Sequence, residues 1–407
     1  KITNAYNSGS VKSTNVYVGG VVGYIDSGTI TNVHNEGMVE GTGAGYVGGV
    51  VGYIDSGTIT NAYNTGTISG TDFNIGGIAG YNSGTIMNAY NTGTVKGNTV
   101  VGGIVGENGG TITNAYNTGT VSGTNYVGGI VGGEYAGTIS NVYNTGEVSS
   151  EYANVGGVMG ETRGGTISNA LWANDLSYTP AEGYMPTQAV GNQSDTATVK
   201  GTNLAEMKKA ATYDSWKDAS SNKIVATTGN AGTAWRIYDG HTTPLLTSLF
   251  KGVITVTGLT VEYNGQNHTA DISQLTFVPT LSDTSHIFLA DSVGRNVGTY
   301  GSLYSDQQGY DLVNDKTLTI TPIALTATLT GNNVFTKEYD GDATVGQTLT
   351  LGSTYTLDKV VSGDTVSIAT NTTGSYNNKN AGNGKTISYT GIALDGADAG
   401  NYTIAGT

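Results

Sequence analysis

The chain repeats one glycine-rich phrase, as in GTITNAYNTGTVSGTNYVGGIVG from Gly110 to Gly132, and no other property limits its fold so tightly. Anchored on the asparagine of T-N-A-Y-N, the copies fall at Asn4, Asn32, Asn61, Asn88, Asn114, Asn141 and, in degenerate form, Asn169. Their spacings of 28, 29, 27, 26, 27 and 28 residues lie in the range of stacked repeats. Each unit carries glycine five residues after the asparagine, then as a G-G pair such as Gly128-Gly129, then at a G-T-I restart such as Gly110. Three glycine points per unit predict three bends.

Between the bends lie short runs such as Thr111-Ile112-Thr113 and Tyr126-Val127, β-branched or aromatic and without helical spacing. Helical repeats are excluded, because each interior glycine costs a helix about 1 kcal/mol. A propeller blade needs about 40 to 50 residues. The expected fold is therefore all-β: a right-handed parallel β-solenoid of about seven coils, with like side chains stacked at ~4.8 Å. Ile30, Ile59, Ile86, Ile112, Ile139 and Ile167 form one inner wall of that expectation. Val21, Val50, Ile78, Ile104, Ile130 and Val158 form a second. Glycine is expected to supply positive φ at the corners and to let coils approach without Cβ clashes. Asn32, Asn61, Asn88, Asn114 and Asn141 read as a structural ladder whose amides bond to the coils above and below.

Tyr6, Tyr63, Tyr90, Tyr116 and Tyr143 form a second ladder and are the candidate ligand-facing residues. One reading makes them a surface platform for sugar rings. The other packs them partly inward with their hydroxyls at the rim, since alternation carries Tyr116 to the side of Ile112 unless a bulge intervenes.

The G-G-I-V-G of Gly128–Gly132, its siblings G-G-V-V-G and G-G-I-A-G, and the following G-T-I-(T/S)-N-A-Y-N-T-G resemble the GLUG repeat of bacterial surface proteins. The resemblance covers residues 1–170. It implies an extracellular location and is shared by adhesins and surface peptidases.

After Ala170 the grammar changes. All five prolines and all three tryptophans lie beyond the repeats, and the tryptophans within 171–250 predict a small core of their own. Asn203–Trp216 reads as a helix with Asn203 as N-cap, Glu206 three residues later, and Leu204, Met207 and Ala211 on one side. The segment 171–250 is expected to cap the open end of the solenoid. Ala234–Leu246, A-W-R-I-Y-D-G-H-T-T-P-L-L, resembles a segment that follows such repeats in filamentous-haemagglutinin-like proteins.

From Gly252 short strands alternate with turns. Tyr263-Asn264-Gly265 and Tyr339-Asp340-Gly341 each follow a strand, and a Gly-Tyr or Gly-Asn-Tyr step leads to Tyr310 and Tyr402. The two stretches read as divergent copies of one plan. Residues 251–322 resemble the MBG domain and residues 323–407 the YDG domain, small Ig-like or related β-modules of large bacterial adhesins.

Catalysis finds no support. His34, His241, His268 and His286 form no His-Glu-x-x-His pattern, and without cysteine there is no thiolate site or disulfide. Gly43–Gly48 formally matches G-x-G-x-x-G, but no helix follows. Thr-Ile-Thr at 29–31, 58–60 and 111–113 lacks the regularity of an ice-binding array, being broken at Met87, Ser140 and Ser168. Asp395–Asn401 lacks the calcium-loop pattern, and its acidic residues are explained by Asx-turns. No catalytic residue, cofactor or metal is therefore expected.

The net charge of -14 argues against nucleic-acid and anionic-membrane partners. No apolar run approaches the ~18 residues of a membrane span. A repeat already under way at Lys1 and a last module stopping at Thr407 lead us to expect a piece of a larger exported protein. The functional expectation is a non-enzymatic adhesin, secreted or at the cell surface. It would be a stalk whose partner is a host-cell or matrix glycan or protein and which serves attachment or biofilm. The alternative is a structural subunit that self-associates head to tail into an extracellular fibre.

Overall fold

The computed structural model describes residues 1–43, 45–180, 183–314, 316–330, 335–346, 349–369 and 372–404. Two compact units divide the chain: Lys1–Val253 with Ser305–Asp311, and Ile254–Tyr304 with Leu312–Thr407.

The first unit is built on a parallel β-solenoid of about seven coils. Four parallel sheets run along it, each coil contributing one strand to each. In the coil of Asn114 these strands are Thr111–Asn117, Val121–Gly123, Asn125–Gly128 and Val131–Glu134. The registers are in step from coil to coil: Ile30, Ile59, Ile86, Ile112 and Ile139 pair in sequence and are at most 3% exposed. The second expected wall joins the same core, with Val50, Ile78, Ile104, Ile130 and Val158 fully buried. Burying each such side chain contributes about 1.5–3 kcal/mol. Val39, Val47, Ile68, Ile75, Val95 and their ladder mates fill a separate compartment.

Within the solenoid positive φ falls mainly on asparagine, which corrects the expected role of glycine at its corners. Asn32, Asn61, Asn88, Asn114 and Asn141 take φ between 54° and 58°, whereas the G-G pairs do not enter that region. Asparagine tolerates the left-handed region because its short amide finds local partners. Here each Nδ2 donates to the Oδ1 of the preceding coil, from Asn32 to Asn4 at 3.1 Å through Asn114 to Asn88 at 3.2 Å. Asn141 donates to Asn114 at 3.5 Å. Glycine answers to crowding instead: a Cβ on Gly103 would stand 2.1 Å from the carbonyl oxygen of Gly129.

A second asparagine ladder lies inside, at the end of the same strands. Asn35, Asn64, Asn91, Asn117 and Asn144 are at most 1% exposed. Each of the first four donates Nδ2 to the Oδ1 of the following coil at 2.7–2.8 Å. Each of the five also donates to the glycine carbonyl two residues on, as Asn117 does to Gly119 at 2.8 Å. Burial without these bonds would be costly, so the amides satisfy one another through the core.

Residues 171–202 close the C-terminal end of the stack as a degenerate coil. Leu171 and Trp172 occupy the register positions of Tyr143 and Asn144, and Val199–Thr202 adds the last parallel strand. Ala189 and Val190 continue the core, held by Val158 N–H donating to the Ala189 carbonyl at 2.8 Å. The following segment runs back along the side of the solenoid.

Its helix is one turn, Leu204–Met207, followed by a 3-10 turn at Ala210–Tyr213. Asn203 is the N-cap, accepting from Glu206 N–H at 2.8 Å. The expected longer helix ends at Lys209, where ψ is 130°. Gly240 N–H takes the Lys208 carbonyl there, and Asp239 Oδ1 accepts from Ala210 N–H. That break turns Tyr213 and Trp216 inward and leaves Ala211 exposed. Two of the three tryptophans share a small core outside the solenoid interior: Trp216 and Trp235 pack with Met207, Tyr213 and Leu246 against Tyr90, Tyr116 and Tyr143, while Trp172 joins the solenoid interior.

The second unit consists of short mixed strands. Leu259–Glu262 pairs in parallel with Leu318–Thr321, Ile323–Leu325 in parallel with Tyr402–Ile404, and Thr373–Tyr376 antiparallel with Ile387–Thr390. One apolar cluster spans both stretches, including Tyr263, Leu318, Ile320, Leu325, Val366 and Tyr402. Asp364 Oδ2 accepts from Tyr263 Oη at 2.8 Å and from Tyr402 Oη at 2.6 Å. The two Y-(N/D)-G turns differ in use, since Tyr263 is buried and Tyr339 is 67% exposed. The final residues of the stretch read as 323–407 lie outside the described residues.

Candidate functional site

The candidate tyrosine ladder stacks, and most of it is covered. From Tyr6 through His34, Tyr63, Tyr90, Tyr116 and Tyr143 the rings follow one another at 4.4–5.1 Å, tilted by 2–9°. Tyr90, Tyr116 and Tyr143 are at most 2% exposed, so a ligand-facing role is corrected for these three. Nor do they point into the solenoid. The left-handed Asn114 is the bulge that flips the alternation, sending Ile112 and Ala115 into the core and Tyr116 outward.

What buries them is the returning segment. Trp235 leans on Tyr116 and Tyr143 at 6.1 and 5.9 Å and donates Nε1–H to Asn114 Oδ1 at 3.2 Å. Tyr116 Oη donates to Gln307 Oε1 at 3.2 Å, and Tyr143 Oη donates to the Pro244 carbonyl at 2.6 Å. Burial holds all three hydroxyls protonated, well above the ordinary tyrosine range. Tyr63 is half-buried, and Tyr6 is exposed. In the structural ladder Asn32 is exposed, Asn61 and Asn88 half-buried, and Asn114 and Asn141 buried.

A different tyrosine set faces solvent. It comes from the third and fourth strands of the first three coils, the Y-V-G and (V/A)-G-Y steps flanking each G-G pair. In Val51–Ile54 the register passes over Gly52, Val51 and Ile54 are buried, and the ring of Tyr53 is half-buried. Register then aligns Tyr24, Tyr53 and Tyr81 in one column and Tyr17 with Tyr46 in another. Down the columns the rings stack at 4.6–5.6 Å, and across them they meet edge to face, Tyr46 on Tyr53 at 5.0 Å and 89°. Tyr17 and Tyr24 are 40% and 44% exposed. Repetition of the Y-V-G and (V/A)-G-Y steps was the sequence signal for this face, obscured by the more regular T-N-A-Y-N tyrosine.

Carboxylates border the rings. Asp26 and Asp55 sit exposed in the turns after Ile25 and Ile54. Glu107 follows Tyr81 in register and accepts from Asn74 Nδ2 at 2.6 Å. Tyr53 is pushed up to about 12, first by burial and then by Tyr81, Tyr46 and Asp55. Further along the face, Arg163 lies over Tyr126 and Tyr135, 5.6 and 5.2 Å from the ring centroids. Its Nη1 donates to Tyr135 Oη at 2.6 Å, and its Nη2 pairs with Glu161 at 2.9 Å.

Glu134 follows Asn82 and Asn108 in register and is 2% exposed. It accepts from Asn108 Nδ2 at 2.8 Å and from Gly137 N–H. Burial pushes its carboxyl up to about 7, against the opposing pull of those two donors. The folded chain therefore holds a proton that the unfolded chain releases near 4.5. Stability is full below that pH and falls as pH rises through 7, by up to about 3 kcal/mol. Melting followed between pH 5 and 8 should show this loss in the wild type relative to Glu134→Gln; equal pH profiles would refute it.

Among the described residues no three His, Asp or Glu side chains come together as a metal-holding group. His34 is stacked between Tyr6 and Tyr63, and His268 meets Asn264 Oδ1 at 2.9 Å. Among those residues no helix is long and apolar enough to cross a membrane.

Fold and surface together define a parallel β-solenoid repeat protein with an aromatic lateral face. Residues 43–69 and 71–96 match the GLUG motif, and residues 321–407 match the YDG domain. The solenoid thus carries GLUG-type repeats in its second and third coils and the chain a YDG-type stretch at 321–407, a combination that points to an extracellular repeat protein. No curated protein and no solved structure matches it.

Proposed function

We propose that the chain is a working part of a non-enzymatic extracellular adhesin, secreted or held at the cell surface, which attaches a cell to another cell or to biofilm matrix. In this reading the solenoid is a stiff rod and the tyrosine face its binding surface. The carrying observation is that face: five clustered tyrosines, two of them at least 40% exposed, meeting ring on ring within and across two register columns. Contiguous exposed aromatic surface marks interaction sites, and tyrosine suits them by pairing an apolar ring with a polar tip. Stiffness follows from four in-register sheets and two amide ladders, which must break together for the rod to bend.

Beads coated with the chain should stick to cell monolayers or biofilm under flow, and Tyr17→Ser/Tyr24→Ser, at the two most exposed rings of the face, should reduce retention several-fold. Retention no greater than that of uncoated beads would overturn the adhesin reading.

A further inference from the structure

The face itself shows what its tyrosines accept. On the fifth and sixth coils the group lying over the rings is a guanidinium, that of Arg163 on Tyr126 and Tyr135, with Glu161 beside it. Tyr126 precedes Val127 as Tyr17 precedes Val18 and Tyr46 precedes Val47, and these valines share one register line through Ile75 and Val101. Tyr126 reaches that place with a left-handed backbone, φ 51°. Glu161 continues the line that starts at Tyr24 and runs through Tyr53, Tyr81, Glu107 and Gly133. Rings, carboxylate and cation thus form one arrangement, complete on the later coils.

On the first three coils the rings and carboxylates recur, and among the described residues the ring–cation contacts involve only Arg163, Arg236 and Lys251, none of them on these coils. We propose that the tyrosine face of the first three coils docks an arginine-bearing segment of a partner protein, its guanidinium groups lying over Tyr17 and Tyr24 and pairing with Asp26 and Asp55. The inference rests on the reading of this face as the binding surface and names its ligand class. Guanidinium is the cation that stacks best on aromatic rings, being planar and weakly hydrated. The charge of -14 adds long-range attraction for such a segment. A neutral glycan would leave the bordering carboxylates unused.

The test is fluorescence anisotropy of the full chain with a labelled arginine–glycine peptide at about 0.15 M ionic strength. Tyr17→Ser/Tyr24→Ser keeps every acidic group and should weaken binding about tenfold. Asp26→Asn/Asp55→Asn, confined to exposed turns, should weaken it similarly, and a citrulline–glycine peptide should bind at least tenfold more weakly. Equal affinity for wild type and the tyrosine variant would reduce the effect to bulk charge and overturn the proposal. Binding of neutral oligosaccharides to this face without peptide binding would overturn it as well. Bead adhesion that persists while the peptide fails to bind sinks this inference alone; peptide binding without adhesion sinks the adhesin reading.

Discussion

Gly103→Ala should unfold the solenoid at temperatures where the wild type is intact. The new Cβ would fall 2.1 Å from the Gly129 carbonyl oxygen and 2.6 Å from Asn117 Cγ. Neither neighbour is the free end of a flexible side chain: one is the backbone of the next coil, the other an amide locked in a buried ladder. The next coil would have to move by more than an ångström, breaking register in two sheets. A loss of about 4 kcal/mol or more is expected, beyond ordinary overpacking. All three tryptophans lie in the first unit, so their fluorescence reports its melting without the second. Gly109→Ala is the matched control, since its Cβ would come no nearer than 3.4 Å to Tyr81 Oη. Equal melting of the two variants would refute the close-approach account.

Asn117→Ala should cost about 3–5 kcal/mol, the largest loss expected from removing a single polar side chain here. Asn117 takes part in four bonds: it accepts from Asn91 Nδ2 and Gly119 N–H and donates to the Gly119 carbonyl and Asn144 Oδ1. Alanine strands those partners in a dry interior at about 1–3 kcal/mol each, offset in part by relaxation. Asn117→Asp should not rescue, because it keeps the acceptors, loses both donations and buries a charge. The contrast is Asn61, half-buried in the other ladder, where among the described residues its amide meets only Asn32 and Asn88. Asn61→Gly should cost only about 1–2 kcal/mol, since glycine adopts φ 58° freely, while Asn61→Ala adds about 1–2 kcal/mol of left-handed strain. Tryptophan-monitored melting that ranked Asn61→Gly as more damaging than Asn117→Ala would overturn this assignment of roles.

The legible parts of the chain are those governed by identity from coil to coil. Ile112 recurs at one place in every repeat, and only stacking in register explains that, so the solenoid and its inner walls could be read directly. The Asn114 ladder was legible for the same reason, as was the Asn203 cap, a contact within four residues. Asn117 recurs just as faithfully. It escaped notice because an asparagine beside a glycine looks like an ordinary turn residue until the coil closes over it.

Periodicity alone determined the repeat, its stacking and its core of isoleucine and valine, because every coil faces the same local problem and solves it with the same residues. Only the tertiary structure decided which tyrosines meet solvent. Backbone sign at Asn114 turns Tyr116 away from the core, and Trp235, Pro244 and Gln307, about ninety or more residues distant in sequence, then cover Tyr116 and Tyr143. Tyr17 and Tyr24 stay exposed because the returning segment packs on the other tyrosine ladder. Contacts of that range leave no local pattern in the chain, so the binding face emerges only when the segments are packed together.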